Sequence, residues 1–195
     1  MENLEYVVER MREGDEEAFD QLFAWYQNKI FRMAYLISGN YADSEDIVQE
    51  TFVKCYSNRH QLKDVSGFQS WLYQILTRTA WRYCRKSRRE QPVETLFDQE
   101  LESGELLPLD QVLQSEESMV VRREINRLPL KQRTVVIYYY YNDMTTKEIA
   151  RVTGCMEGTV KSRLFTARKR LEQALKQWTM DEKESLLWKK EKSIS

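Results

Sequence analysis

The stretch TKEIARVTGCMEGTVKSRLFTARKRL, Thr146 to Leu171, decides the fold. Its first part carries Ile149 and Ala150, followed by Gly154 where the chain must turn tightly. Glycine suits such a turn because it takes positive φ without a steric cost. Its second part carries Val160, Leu164, Ala167 and Leu171 at helical spacing, continued by Leu175. A small residue where two helices cross, a glycine between them and apolar anchors on both make a helix-turn-helix pattern. Thr145 or Thr146 is placed to cap the first helix.

The second helix is basic. Between Gly158 and Leu171 stand five cations, Lys161, Arg163, Arg168, Lys169 and Arg170, and no acid. On a helical wheel the apolar stripe faces inward. Opposite it lie Ser162, Phe165, Thr166 and Lys169, bordered by Lys161 and Arg168 on one side and by Arg163 and Arg170 on the other. A helix in a DNA major groove needs that mixture. Flanking cations meet phosphates and position the helix. Shorter groups and a lysine near the N-terminal end meet base edges, and Phe165 suits a thymine methyl. The plainer reading is a solvated face on an ordinary helix.

The rest of the chain sets limits on this. Net charge over 195 residues is −1, so the basic helix is a local feature rather than a global bias. Cys55, Cys84 and Cys155 are odd in number and separated by 28 and 70 residues, and His60 is the single histidine. That excludes a convincing zinc site or disulfide framework and suits a reducing compartment. The first residues are charged and lack the apolar core of a signal peptide, and no apolar run approaches the ~20 residues of a membrane span. A cytoplasmic protein with no membrane insertion of its own is expected. Six Gly and three Pro leave little punctuation for strands, and apolar residues recur at helical spacing nearly throughout. The expectation is an all-α chain of two small helical domains joined by a flexible acidic linker.

The first block, residues 1–89, shows stripes at Ala18, Leu22, Trp25 and Tyr26, at Ile30, Ala34 and Ile37, and at Phe68, Trp71, Leu72, Ile75 and Leu76. Residues 90–117 hold nine acids, no base, two prolines and a glycine, with poor periodicity. That segment reads either as a tether between domains or as an acidic strand occupying a positively charged channel. Residues 118–178 form the second block, where Pro129 should open a helix and Val135, Val136, Tyr139 and Tyr140 face inward and sideways. Residues 179–195 make a charged tail, with Leu186, Leu187 and Trp188 as its large apolar cluster, that reads as a frayed helix or as a segment docking on a partner.

Two further stretches in the first block invite partners. From Arg78 to Arg89 there are six bases, among them Arg78, Arg82 and Arg85, with Trp81 and Tyr83 interleaved and no acid. Cations beside aromatic rings suit a strand with unstacked bases, although a basic surface over core aromatics gives the same pattern. The stretch DSEDIVQETF, Asp43 to Phe52, reads as a helix with Asp43 as its cap, Asp46 in the capping-box place and Val48 and Phe52 inward. Glu45, Asp46, Gln49 and Glu50 then make an outer acidic face with no base on that helix before Lys54.

In their order and spacing these pieces resemble bacterial σ factors of the extracytoplasmic-function (ECF) group, the smallest σ70-type initiation factors. DSEDIVQETF looks like the polymerase-binding motif of that family. GFQSWLYQIL, from Gly67, looks like the start of its −10 reading helix, and Leu128 to Leu171 looks like its −35 reading domain. The resemblance covers about residues 5 to 175. It implies a transcription initiation factor in which Asp43, Glu45, Asp46, Gln49, Glu50 and Phe52 bind core RNA polymerase. The polymerase elements involved would be the clamp coiled coil and the flap. It implies that Leu62, Lys63, Asp64, Phe68, Trp71, Arg78, Arg82 and Arg85 meet −10 DNA. Lys161, Ser162, Phe165 and Thr166 match the family's base-facing −35 positions, with Arg163 and Arg168 on phosphates. It further implies promoter DNA and an anti-σ factor as partners, and an envelope or stress response as the setting. The linker would follow the RNA path of the polymerase.

Two other classes use parts of the same pattern. An ordinary helix-turn-helix regulator shares the basic helix, but has no use for the acidic 43–52 face and the second basic helix together. An enzyme acting on nucleic acid finds no support, since the sequence carries no phosphate loop and no metal-ligand cluster, and no cofactor is expected.

Overall fold

The computed structural model describes the backbone of residues 3–90 and 116–192, and side chains for residues 3–86 and 120–178. Every regular element among them is helical. The expected linker falls outside them except at its ends.

Helix α1, Leu4–Glu13, starts where the Asn3 side chain accepts from the Glu5 amide and stops at Gly14 with φ 103°. Asp15 then caps α2, Glu16–Ser38, accepting from the amides of Glu17 and Ala18 while paired with Arg10 at 2.6 Å. The carboxylate stands at the positive end of the helix and satisfies two amides that have no partner within the helix. Helix α3, Tyr41–Ser57, is capped by Asn40, whose side chain accepts from the amide of Asp43. The expected cap was Asp43, but that residue sits one turn inside. Two 3-10 turns, Arg59–Gln61 and Val65–Gly67, lead into α4, Phe68–Glu90.

The second half begins with α5, Glu116–Arg127. Pro129 precedes α6, Leu130–Tyr140, at the cap position, where its missing N–H removes no helix bond. Helix α7, Thr146–Thr153, is followed by α8, Glu157–Lys192, which runs through the expected start of the tail without a break.

The apolar stripes of α1 to α4 close on one another through Val7, Leu22, Met33, Ile47, Phe68 and Leu76. Trp25, expected in a stripe, is 48 % exposed instead. In the second half Val135, Val136, Ile149, Val160 and Leu164 are buried, whereas Tyr140 is exposed and Tyr138 takes the interior place. These two groups form one continuous core. Helix α4 packs on α7 and α6, and α2 packs on α6, so the halves meet directly.

Candidate nucleic-acid and polymerase interfaces

The α7–α8 unit is a helix-turn-helix with its ends tied down. Thr145 and Glu148 form a capping box: the Glu148 amide donates to Thr145 Oγ1 at 3.3 Å, and the Thr145 amide donates to Glu148 Oε2 at 2.8 Å. The hydrogen bonds from Thr145 hold the Glu148 carboxyl below its usual range. Gly154 ends α7 with φ 65°, and the Cys155 amide reaches back to the Ala150 carbonyl at 3.1 Å, closing the turn. Thr146 Oγ1 donates to Glu157 Oε1 at 2.7 Å, which joins the starts of the two helices.

Val160, Leu164 and Ala167 bury the inner face of α8. On the outer face Phe165 is 71 % exposed, beside exposed Lys161 and Ser162. This exposed ring occupies the centre of the face expected to read bases. Lys161 Nζ rests on Glu157 at 2.8 Å, and this bond, followed by that from Thr146, lowers the Glu157 pKa. Thr166 is half-buried and returns its hydroxyl to the Ser162 carbonyl at 3.0 Å. Arg163 is half-buried too, with Nη1 3.6 Å from Cys155 Sγ, so it braces the turn. Arg168 lies outside, its Nε donating to the Tyr140 hydroxyl at 2.7 Å and its guanidinium 5.2 Å and 5.5 Å from the Tyr139 and Tyr140 ring centres.

On α3 the structure exposes Glu45, Asp46 and Gln49, while Asp43 is half-buried. Glu50 departs from the expected open acidic face. It pairs with Lys54 at 2.6 Å and with Arg82 across on α4. Partial burial raises its pKa, but the Lys54 and Arg82 bonds outweigh it and leave the carboxyl below its usual range. Phe52 is 3 % exposed and packs edge-on against Phe23 and Phe19, so it supports the helix from beneath. Beside the acidic face an open groove runs between α2 and α3, with Val53 64 % exposed and Phe23 at its rim. Sequence reasoning missed this groove. A signal was available, because Val53 interrupts the polar face of α3.

Leu62 in the loop before α4 and Phe68 at the start of that helix are buried anchors, and Lys63 and Asp64 are exposed between them. Asp64 caps the turn through the hydroxyl and amide of Ser66, and these bonds lower its pKa. Trp71 is half-buried against Phe68, with ring centres 6.3 Å apart. Arg78 and Arg85 are exposed on α4, the latter donating from Nε to the Trp81 carbonyl at 3.1 Å. Arg82 is exposed but ion-paired with Glu50. The side chains of Arg88 and Arg89 lie outside the described residues. Loop, acidic helix and basic helix are thus neighbours, with α3 packed on α4.

Comparison with known proteins bears on this arrangement. Residues 22–90 match the family model for Sigma-70 region 2, and residues 118–171 match that for Sigma-70, region 4. The chain is 30 % identical over 178 residues to the ECF RNA polymerase sigma factor SigW of Bacillus subtilis, covering 87 % of this chain and 95 % of that protein. It is 34 % identical over 176 residues to the ECF RNA polymerase sigma-E factor of Escherichia coli K12, covering 85 % and 91 %. The chain belongs to the ECF sigma factors. Such a factor directs RNA polymerase to specific promoters, and the plain regulator is not favoured.

Two solved structures share the fold of this ECF sigma factor. CnrH in complex with the cytosolic domain of CnrY aligns with TM-score 0.63 at 21 % identity, over 89 % of this chain and 97 % of that one. The sigma factor RpoE of Bartonella quintana, in complex with the anti-sigma factor NepR, aligns with TM-score 0.60 at 24 % identity, over 81 % and 96 %. The region 2 match spans α2 to α4, and the region 4 match spans α5 to the first half of α8. Among the described residues no helix of this sigma factor is long and apolar enough to cross a membrane, and no group of side chains is placed to hold a metal.

Proposed function

We propose that this sigma factor holds core RNA polymerase with the outer face of α3 and reads promoter DNA at two places, once with α4 and its preceding loop and once with α8. Residues 1–89 are then the polymerase and −10 part, residues 118–178 the −35 part, and the acidic 90–117 segment follows the RNA path between them. The observation that carries this reading is the pairing of two exposed faces of opposite sign. Glu45, Asp46 and Gln49 face water on α3, and Lys161, Ser162, Phe165 and Arg168 face water on α8. Opposite fields on one small chain steer it to two different partners.

Within the −10 part, exposed Lys63 and Asp64 are the loop groups within reach of an unstacked base, held in place by buried Leu62 and Phe68. Trp71, Arg78, Arg82 and Arg85 line the way for the opened strand. Within the −35 part, Lys161, Ser162, Phe165 and Thr166 meet bases, while Arg163 and Arg168 meet or brace phosphate contacts. On this reading the chain acts in the cytoplasm, is not itself a catalyst and is held by an anti-σ partner when idle. The presence of anti-σ or cytosolic partner domains on structurally similar proteins supports that last point.

A charge reversal separates this reading from a structural one. Asp46→Lys should remove binding to σ-free core polymerase in a pull-down while the chain keeps its melting temperature. Retained binding would take α3 out of the interface.

A further inference from the structure

The first turn of α8 carries an acid as well as cations. Glu157 is the first residue of that helix, and the stretch from Gly158 to Leu171 behind it holds five cations and no acid. Glu157 Oε1 accepts from Thr146 Oγ1 at 2.7 Å and stands 2.8 Å from Lys161 Nζ. Thr146 spends its only hydroxyl proton there, so the carboxylate is held from α7 as well as from α8. Among the described residues Oε2 finds no hydrogen-bond donor, and the Glu157 side chain is 41 % exposed beside Lys161 at 63 %. The pair therefore keeps unused capacity on both sides: a free carboxylate oxygen, and ammonium protons beyond the one aimed at Glu157.

The plain role of such an acid is local. A carboxylate in the first turn complements the helix dipole, and a Glu–Lys pair four residues apart adds support. Neither effect needs the acid on a turn that approaches phosphates, where a negative charge is repelled. Gly158 is a second, independent sign. A Cβ built on it meets nothing within 4 Å, so no packing inside the protein asks for glycine, and glycine weakens a helix interior. A bare backbone at that place lets the first turn come close to another molecule. In a helix-turn-helix the N-terminal residues of the second helix are the ones that reach base edges. Glu157 stands at that end.

One base pair matches this donor and acceptor. Along the major groove a G·C pair shows the N7 and O6 acceptors of guanine and then the N4 amino donor of cytosine. O6 and N4 are hydrogen-bonded to each other, so they lie about 2.9 Å apart. The Lys161–Glu157 pair, 2.8 Å from nitrogen to oxygen, has the same scale and the complementary polarity. A T·A pair offers the same inner acceptor and donor, but it sets a methyl group against the ammonium and adenine N7 against the carboxylate. We propose that Glu157 and Lys161 read one G·C pair of the −35 element as a unit, with Lys161 Nζ donating to guanine O6 and N7 and Glu157 Oε2 accepting from cytosine N4. Thr146 is the positioning residue that holds the carboxylate. The inference rests on the proposed −35 role of α8.

Holoenzyme assembled from σ-free bacterial core polymerase and the full chain tests it. Wild type, Glu157→Ala, Glu157→Gln and Lys161→Ala are each offered a pool of promoter duplexes randomised across the distal motif, and the bound DNA is sequenced. Wild type should enrich G·C at one position. Glu157→Ala should lower the preference for G·C over T·A there by about tenfold and leave the other positions alone, since one good base contact discriminates by that much or more. Glu157→Gln keeps a carbonyl acceptor and should retain part of the preference, which also decides the matter if the alanine variant does not fold. Lys161→Ala should lose preference at the same pair. Tighter binding of Glu157→Ala to every sequence, with the base preferences unchanged, overturns the proposal and leaves Glu157 a dipole and pairing group. Losses at two different pairs, or at a pair other than G·C, overturn it as well. A wild type that enriches no distal position removes the −35 reading itself and the inference with it, so the two failures are distinct.

Discussion

Arg168 on α8 and Tyr140 on α6 are held together twice, by a 2.7 Å hydrogen bond from Nε to the phenol and by the guanidinium lying 5.5 Å from the ring centre. The hydrogen bond to Tyr140 raises the Arg168 pKa further and keeps the cation in place. If α8 reads DNA as proposed, an exposed arginine fixed at its edge presents its charge to a phosphate with less ordering cost on binding. Tyr140→Ala is therefore expected to weaken duplex binding by about 0.5–1 kcal/mol on every sequence alike. Arg168→Ala should in addition lower the slope of log affinity against log salt by about one. Titrations of labelled −35 duplexes at three salt concentrations check both.

Lys161 should behave differently. It sits near the start of α8, on the face proposed to meet bases, and pairs with Glu157 at 2.8 Å. Lys161→Ala is expected to lose about 1–3 kcal/mol at one −35 base pair and little elsewhere. Binding to a set of single-base variants of the site measures this. Equal loss on all of them would mean that Lys161 meets only phosphate.

The two ends of the DSEDIVQETF helix separate support from contact. Phe52 is buried against Phe19 and Phe23, so Phe52→Ala should leave a cavity and lower stability by about 3–5 kcal/mol in urea unfolding. A loss under 1 kcal/mol would contradict the core role.

Glu50 links α3 to α4 through Arg82, and its pKa is lowered in the folded protein. A lowered folded pKa gives stability that is present above the unfolded value, near 4.5, and fades as pH falls through the folded value. Arg82 is 55 % exposed, so solvent screens the pair and the contribution is about 0.2–1 kcal/mol. Melting curves should place Glu50→Gln below wild type at pH 7, with the gap closing as pH falls below 4.5. A gap unchanged at low pH would show that the charge is not the cause.

Cys55 is buried, and burial pushes its thiol up to about 12. Cys84 and Cys155 are half-exposed. Alkylation of the folded chain at pH 8 should modify Cys84 and Cys155 and spare Cys55 until denaturant is added, as read by mass spectrometry. Early labelling of Cys55 would mean that the α3 core opens readily.

Much of this could be read in the sequence because helical spacing is local. The stripe from Val160 to Ala167, the Gly154 turn and the Thr145 cap needed only neighbours within a few residues. The Asn40 cap was misread because Asn40 and Asp43 are both good cap residues, and the apolar pattern of α3 does not say which comes first. Glu50 seemed open because its second partner, Arg82, lies 32 residues away on another helix. Tyr138 and Thr77 are 61 residues apart, and nothing local marks a tyrosine as the residue that joins two halves.

The most direct test adds the purified chain to σ-free bacterial core polymerase with fragmented genomic DNA and maps the 5′ ends of the transcripts. The σ assignment predicts starts preceded by one shared pair of upstream motifs, with the distal motif lost in Lys161→Ala. A soluble, folded chain that yields no such starts and does not bind core polymerase would contradict it.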